Sequence, residues 1–259
     1  MKKIAYIGNS IDAFNKIQML KEYQCDFFIF QKDKVCLDKV KNFNCNIFSV
    51  SNKKELNETL LKIYKDIEFA IMYDFGVIVP KETLSLIRIF NFHPGNLRNN
   101  RGSSPINWSI LLDEKKTTMT LYEITEEIDL GKIVCEHDVD IFKYDVPFSL
   151  RNRLEGEIPS MLLCLNNKIN QNEEFLPIKH GYYRNRITEK DYTIFETDTE
   201  DTIKAKIRSQ YSYKGAPLYC GNSHVFVKSY DEYLKMKKII ENQTNINEDF
   251  LGGGNKELN

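Results

Sequence analysis

An amide, an imidazole and a carboxylate stand at three points of this chain where one reaction can use them together. Asn91 and His93 are two residues apart in Asn91-Phe92-His93-Pro94-Gly95, at the end of an expected strand, and strand alternation sends both side chains to one face. Arg101-Gly102-Ser103-Ser104-Pro105 follows and leads into an expected helix, and Ile128-Asp129-Leu130-Gly131 lies between two later strands. On such loops the set suits acyl transfer. Asn91 donates to an oxygen that gains negative charge, His93 moves protons, and Asp129 orients and tunes the imidazole. Each piece alone has a plainer reading, as a satisfied histidine, a turn aspartate or a solvated arginine. Their order and spacing carry the catalytic reading.

Elements that must hold these residues are legible around them. Residues 3–8 read as a buried strand and 12–23 as a helix, and the alternation repeats with strands at 25–30 and 46–50 and helices at 34–43 and 53–65. Asn52 is the expected N-cap of the last helix, with Glu55 as its capping-box partner. Strands at 67–73 and 87–92 flank a short helix started by Pro80. The alternation predicts an α/β, Rossmann-like, mostly parallel sheet with helices on both faces, whose ligands gather at the carboxyl ends of the strands. After a helix from Pro105 with Ser104 as N-cap come strands at 118–125 and 133–141. The helical pattern over 149–169 contains Pro159 and so predicts a kink or two helices. Beyond a polar stretch at 170–179 lie short strands at 182–186 and 192–195, a helix at 200–210 and a hairpin at 218–230 turning at Gly221-Asn222. The expected organisation is a catalytic domain over 1–178, a small α+β domain over 179–234 and a flexible tail over 235–259.

Composition bounds the partners. The 36 Lys+Arg and 37 Asp+Glu give a net charge of −1, so the chain carries no overall basic field for nucleic acid. No apolar run approaches the roughly 18 residues of a membrane span, and the six cysteines show no zinc spacing. The expectation is a cytoplasmic protein with reduced thiols, no metal, no membrane and no nucleic-acid partner.

The run Asn-x-His-Pro, Arg-Gly-x-x-Pro, Thr120 in a strand and Ile-Asp-x-Gly-x-Ile resembles the folate-dependent formyltransferases, whose pattern is close to N-x-H-P-S-x-L-P-x-x-R-G-x-x-P followed by D-T-G. The resemblance covers roughly residues 1–180. It implies catalytic roles for Asn91, His93 and Asp129 and N10-formyltetrahydrofolate as co-substrate. It also implies a folate-lining loop at Tyr73, Phe75, Gly76, Val77 and Ile78, with Ile128 and Asp129 beside it. The chain departs from the pattern at Gly95 for Ser, Arg98 for Pro, Leu130 for Thr and Tyr122 for the usual His after the Thr strand.

Among the family's branches, Gly181-Tyr182-Tyr183-Arg184-x-Arg186 and Tyr213-x-Gly215-Ala216-Pro217 are similar to the second domain of the sugar N-formyltransferases. That resemblance implies, as acceptor, the amine of a nucleotide-linked amino-dideoxy sugar, with dTDP the usual nucleotide, bound for an O-antigen type of surface polysaccharide, and a homodimer. A nucleoside diphosphate asks for an aromatic face and arginines, which Tyr182, Tyr183, Arg184, Arg98 and Arg101 offer, and for backbone N–H groups such as those of Gly8, Asn9 and Ser10 before the first helix. Residues 181–234 hold eight Lys/Arg and eight Asp/Glu, a net of zero, which speaks against a tRNA-gripping domain. Methionyl-tRNA formyltransferase stays the main alternative. A purine-pathway formyltransferase and a non-catalytic folate- or nucleotide-binding protein stand behind it.

Overall fold

Continuous apolar runs make strands that only a sheet covered on both faces can bury, and the first strand, β1 (Lys2–Gly8), is buried from Ile4 onward. The computed structural model describes residues 1–251 apart from 33, 36, 128, 179, 221 and 222. After β1 come α1 (Ile11–Gln18), β2 (Tyr23–Gln31), α2 (Leu37–Val40), β3 (Asn46–Val50), α3 (Lys53–Ile63), β4 (Phe69–Tyr73), α4 (Lys81–Leu84) and β5 (Ile89–His93). Then follow β6 (Arg101–Gly102), α5 (Pro105–Leu111), β7 (Lys116–Glu123), β8 (Lys132–Asp140), α6 (Pro147–Glu155), α7 (Ile158–Asn170), β9 (Leu176–Pro177) and β10 (Tyr183–Arg184). The chain continues through α8 (Glu189–Tyr192), α9 (Glu200–Ser209), β11 (Ala216–Cys220), β12 (Ser223–Val227) and α10 (Tyr230–Leu251).

The main sheet has the order β3-β2-β1-β4-β5-β7-β8-β9. Its first five strands are parallel and its last three antiparallel. Strand alternation splits the core between two faces. Tyr6 and Phe28 meet Phe14 of α1 on one side, the Phe14 and Phe28 rings stacking at 4.7 Å. Ala5, Ile7 and Ile29 join Leu56, Leu60 and Ile63 of α3 in the cluster on the other. Each fully buried side chain of this kind contributes about 1.5–3 kcal/mol.

Local signals fix the helices. Asn52 caps α3 by accepting from the N–H groups of Lys54 and Glu55. The Glu55 carboxylate reaches back to the Ser51 N–H rather than to that of Asn52. Pro159 falls in the first turn of α7, so the pattern over 149–169 becomes two helices. Ser104 is not a helix N-cap: its φ of 60° is left-handed, whereas capping needs an extended residue.

The chain divides into two compact units. The first contains residues 1–106, 116–140 and 151–186, and the second 107–115, 141–150 and 187–259. The division falls after Arg186, later than the residue 178 expected from the polar stretch. Tyr183 and Arg184 pair as β10 with β6, and the Tyr182 N–H donates to the Arg98 carbonyl, so these residues stay with the first unit. In the second unit β11 and β12 form the expected hairpin, whose turn residues Gly221 and Asn222 lie outside the described residues. The strand expected at 192–195 is instead the end of α8 and a single bridge from Ile194 to Leu218. The Arg208 guanidinium draws this unit's segments together by donating to the carbonyls of Phe142 and Asp145 and to the Asp113 carboxylate. Lys206 is buried, and its ammonium donates to the Thr193 carbonyl and to Asp198. Where a polar tail was expected, α10 runs to Leu251, with Tyr233, Met236 and Ile240 packed on the unit's apolar cluster.

Among the described residues no helix is long and apolar enough to cross a membrane. Cys25, Cys45, Cys135 and Cys164 are free thiols.

Candidate functional site

β5 and β7 together place the reactive side chains. β5 ends in Asn91 and His93, and β7 lies antiparallel to it with Asn91 opposite Tyr122 and His93 opposite Thr120. Opposed residues of an antiparallel pair share a face, so the four side chains stand side by side. The Thr120 hydroxyl donates to the Gly95 carbonyl and holds the loop that leaves β5.

His93 is 5% exposed, and its Nε2 lies 2.8 Å from the Asn100 carbonyl oxygen. A carbonyl only accepts, so Nε2 carries the proton and Nδ1 keeps the lone pair. Gly95 makes this contact possible. A Cβ there would stand 2.8 Å from Pro105 Cβ, 2.9 Å from the Asn100 carbonyl oxygen and 3.0 Å from His93 Nε2. The departure from the family's serine is thus the residue that lets the 96–100 turn close on the imidazole.

Asp129 is not the group that holds His93, as the sequence reading expected. One carboxylate oxygen accepts from the Tyr122 hydroxyl at 2.6 Å and the other from the Gly102 N–H at 2.9 Å. Asp129 sits at φ 54°, a conformation that costs about 1–2 kcal/mol for a residue with a side chain and that turns the carboxylate back toward β7. The Tyr122 hydroxyl in turn accepts from Asn91 Nδ2 at 3.0 Å. Burial, then the charge of Asp129, pushes the Tyr122 phenol well above its usual range. The line Asn91, Tyr122, Asp129, Gly102 was not anticipated as a unit. Tyr122 registered only as a departure from a pattern, and the Asn100 and Gly102 backbone groups carry no residue-type signal.

Gly102 has φ 98°, and a Cβ there would lie 2.5 Å from the Arg184 carbonyl oxygen. It lets β6 run beside β10, with Tyr183 opposite Arg101 and Arg184 opposite Gly102. The Arg101 guanidinium sits over the Tyr183 ring at 5.6 Å and that of Arg184 over the Tyr182 ring at 4.9 Å. Tyr182 is 63% and Tyr183 43% exposed. This leaves flat aromatic surface and arginine edges next to the carboxylate loop. Arg98, by contrast, pairs with Glu136.

The expected phosphate loop and the expected folate loop form one network. Asn9 donates to Gln31 Oε1 and to the Asp74 carbonyl and accepts from the Gln31 N–H. Gln31 Oε1 also accepts from the Gly76 N–H. The Ser10 hydroxyl donates to Glu155, a carboxylate buried beside it whose pKa burial pushes up. Gly8 ends β1 against the Tyr73 carbonyl. These side chains therefore brace the 73–80 loop, and Glu155 puts negative charge where a phosphate was expected. In the loop Tyr73 is buried, Phe75 and Val77 pack on the core, and Ile78 is 58% exposed. Ile128 lies outside the described residues. Among the described residues no three His, Cys, Asp or Glu side chains group as metal ligands.

The geometry suits acyl transfer: a donor with a spare N–H at Asn91, a buried imidazole whose Nδ1 keeps its lone pair, and a carboxylate two hydrogen bonds from Asn91. The chain is 30% identical over 179 residues to the methionyl-tRNA formyltransferase of Thermotoga maritima, which covers 67% of this chain and 56% of that protein. It thus spans little more than half the length of that curated relative. Its fold is similar to a sugar N-formyltransferase from a Shewanella species (TM-score 0.72, 18% identity, 88% of this chain and 97% of that one). It is also similar to HypX from Aquifex aeolicus in complex with tetrahydrofolic acid (TM-score 0.66, 16% identity, 88% and 37%). The family model described as formyl transferase matches residues 4–163, which hold Asn91, His93 and Asp129, and the chain belongs to that family.

Proposed function

We propose that this protein transfers a formyl group from N10-formyltetrahydrofolate to the amine of a nucleotide-linked amino sugar, dTDP being the favoured nucleotide, for surface-polysaccharide synthesis. The observation that carries the acceptor class is the Arg101–Tyr183 and Arg184–Tyr182 platform, tied through Gly102 to Asp129. An aromatic face takes a base and the arginine edges take a diphosphate. The fold likeness along 97% of the Shewanella sugar N-formyltransferase supports the same reading.

The 73–80 loop fits the folate. Ile78 presents an apolar side chain, and Asn9 and Gln31 hold the loop's backbone in place to meet the edges of a flat heteroaromatic ring. When bound, the folate supplies an activated formyl carbon. Asn91 donates its second N–H to the oxygen that gains charge there. His93 receives the amine proton at Nδ1 while its Nε2–H stays on the Asn100 carbonyl. Asp129 acts on this centre through the Tyr122 hydroxyl and Asn91 rather than by holding the imidazole.

The methionyl-tRNA reading rests on the curated relatives. Against it stands the balanced charge of residues 181–234, since tRNA binding favours a positive excess. Tyr183→Ala separates the two. It is expected to raise KM for the sugar nucleotide about tenfold by removing the stacking face, with KM for the formyl donor within about threefold. An acceptor KM unchanged by the substitution would remove the platform from the acceptor site.

A further inference from the structure

We propose that Tyr122 is a positioning residue, whose hydroxyl couples the Asn91 carboxamide to the Asp129 carboxylate and fixes which end of the amide faces the reacting oxygen. The inference rests on the formyl-transfer reading of this site. Tyr122 is 2% exposed and lies directly across the strand pair from Asn91. The register between β7 and β8 slips between Leu121 and Tyr122, a bulge of the kind that re-aims a side chain.

The direction of the two bonds follows from chemistry. Asp129 takes the Gly102 N–H on one oxygen and the Tyr122 hydroxyl on the other. An ionised carboxylate only accepts, so the phenol proton points at Asp129 and the oxygen lone pair faces Asn91. Asn91 must therefore offer its N–H end to Tyr122, at 3.0 Å. A carboxamide turned over would set oxygen against oxygen. The second N–H on the same nitrogen is then the group left for the substrate. Burial and the neighbouring carboxylate keep the phenol protonated, so this polarity holds across the pH range in which an imidazole at the same place would switch.

Tyr122→Phe keeps the ring and removes the hydroxyl. The expected result is a kcat about tenfold lower, with KM for both substrates within about threefold. In an Asn91→Ala background the further loss should vanish, because the hydroxyl acts through Asn91. Tyr122→His, the residue of the family pattern, can donate to Asp129 and accept from Asn91. It should recover most of kcat and add an ionisation between about pH 5 and 8 to the kcat profile, since the imidazolium cannot accept. A Tyr122→Phe kcat within about twofold of wild type, or a loss undiminished in the Asn91→Ala background, would overturn the proposal. If Tyr122→Phe does not fold, a Tyr122→His profile without the added ionisation would do the same.

A readout that needs no acceptor keeps this test apart from the substrate reading. In 15N-labelled protein the Asn91 side-chain amide signal, assigned by its loss in Asn91→Ala, should move on Tyr122→Phe and return toward its place in Tyr122→His. An unmoved signal would overturn the coupling even if no acceptor had yet been turned over. A moved signal without turnover on any sugar nucleotide would count against the acceptor alone.

Discussion

His93→Ala is expected to lower kcat for formyl transfer by about 10²–10⁴-fold, the range for removing a positioned proton-transfer group. The imidazole is buried, its Nε2–H is committed to the Asn100 carbonyl, and Nδ1 is the base the site offers. Truncation also removes the hydrogen bond from the imidazole to that carbonyl, which costs about 1 kcal/mol of stability. His93→Gln separates the two effects. Its amide can still donate to Asn100, so its unfolding midpoint should lie nearer to wild type, yet it has no proton-accepting nitrogen and should be as slow as the alanine variant. A glutamine variant that retains a third or more of the wild-type rate would show that no proton passes through His93.

The second large effect is expected at Asn91. Asn91→Ala removes a side-chain donor beside His93 that has an N–H to spare, and losing such a donor costs about 10²–10³-fold in kcat. Stability should change little. Asn91 is half-buried, and the Tyr122 hydroxyl keeps its bond to Asp129 when Asn91 is gone. Binding of the formyl donor, measured by titration calorimetry, should stay within about threefold of wild type, because the 73–80 loop is braced by Asn9 and Gln31 instead. A loss confined to KM would move Asn91 from the reacting oxygen to ground-state binding.

How much of this was legible depended on whether the signal was local. The parallel half of the sheet was readable because short, mainly apolar runs alternate with helical patterns, one of them announced by its Asn52 cap. Asn91 and His93 were readable as a pair because alternation alone puts them on one face. What the chain brings together from afar was not. The two-residue strands β6 and β10 have no periodicity of their own. Their pairing moves Tyr182, Tyr183 and Arg184 from an expected second domain to the side of Gly102.

Backbone partners were equally out of reach. The Asn100 carbonyl and Gly102 N–H decide which nitrogen of His93 keeps its lone pair and where Asp129 points, and every residue type but proline carries both groups on its backbone. Asp129 was expected to hold His93 and instead accepts from Tyr122 and Gly102, because residue type names a carboxylate without saying what it touches. α10 was a different kind of miss. Tyr233, Met236 and Ile240 form a helical stripe, masked in the sequence by the lysines at 235, 237 and 238 and the asparagines beyond.

The most direct test of the central claim is a product assay with labelled N10-formyltetrahydrofolate. The acceptors would be dTDP- and UDP-linked 3-amino and 4-amino sugars, glycinamide ribonucleotide and charged initiator tRNA. The account predicts label on the amine of one sugar nucleotide, with kcat/KM at least about 10³-fold above every other acceptor, a margin of about 4 kcal/mol in transition-state binding. Label on the tRNA with none on any sugar nucleotide would contradict it.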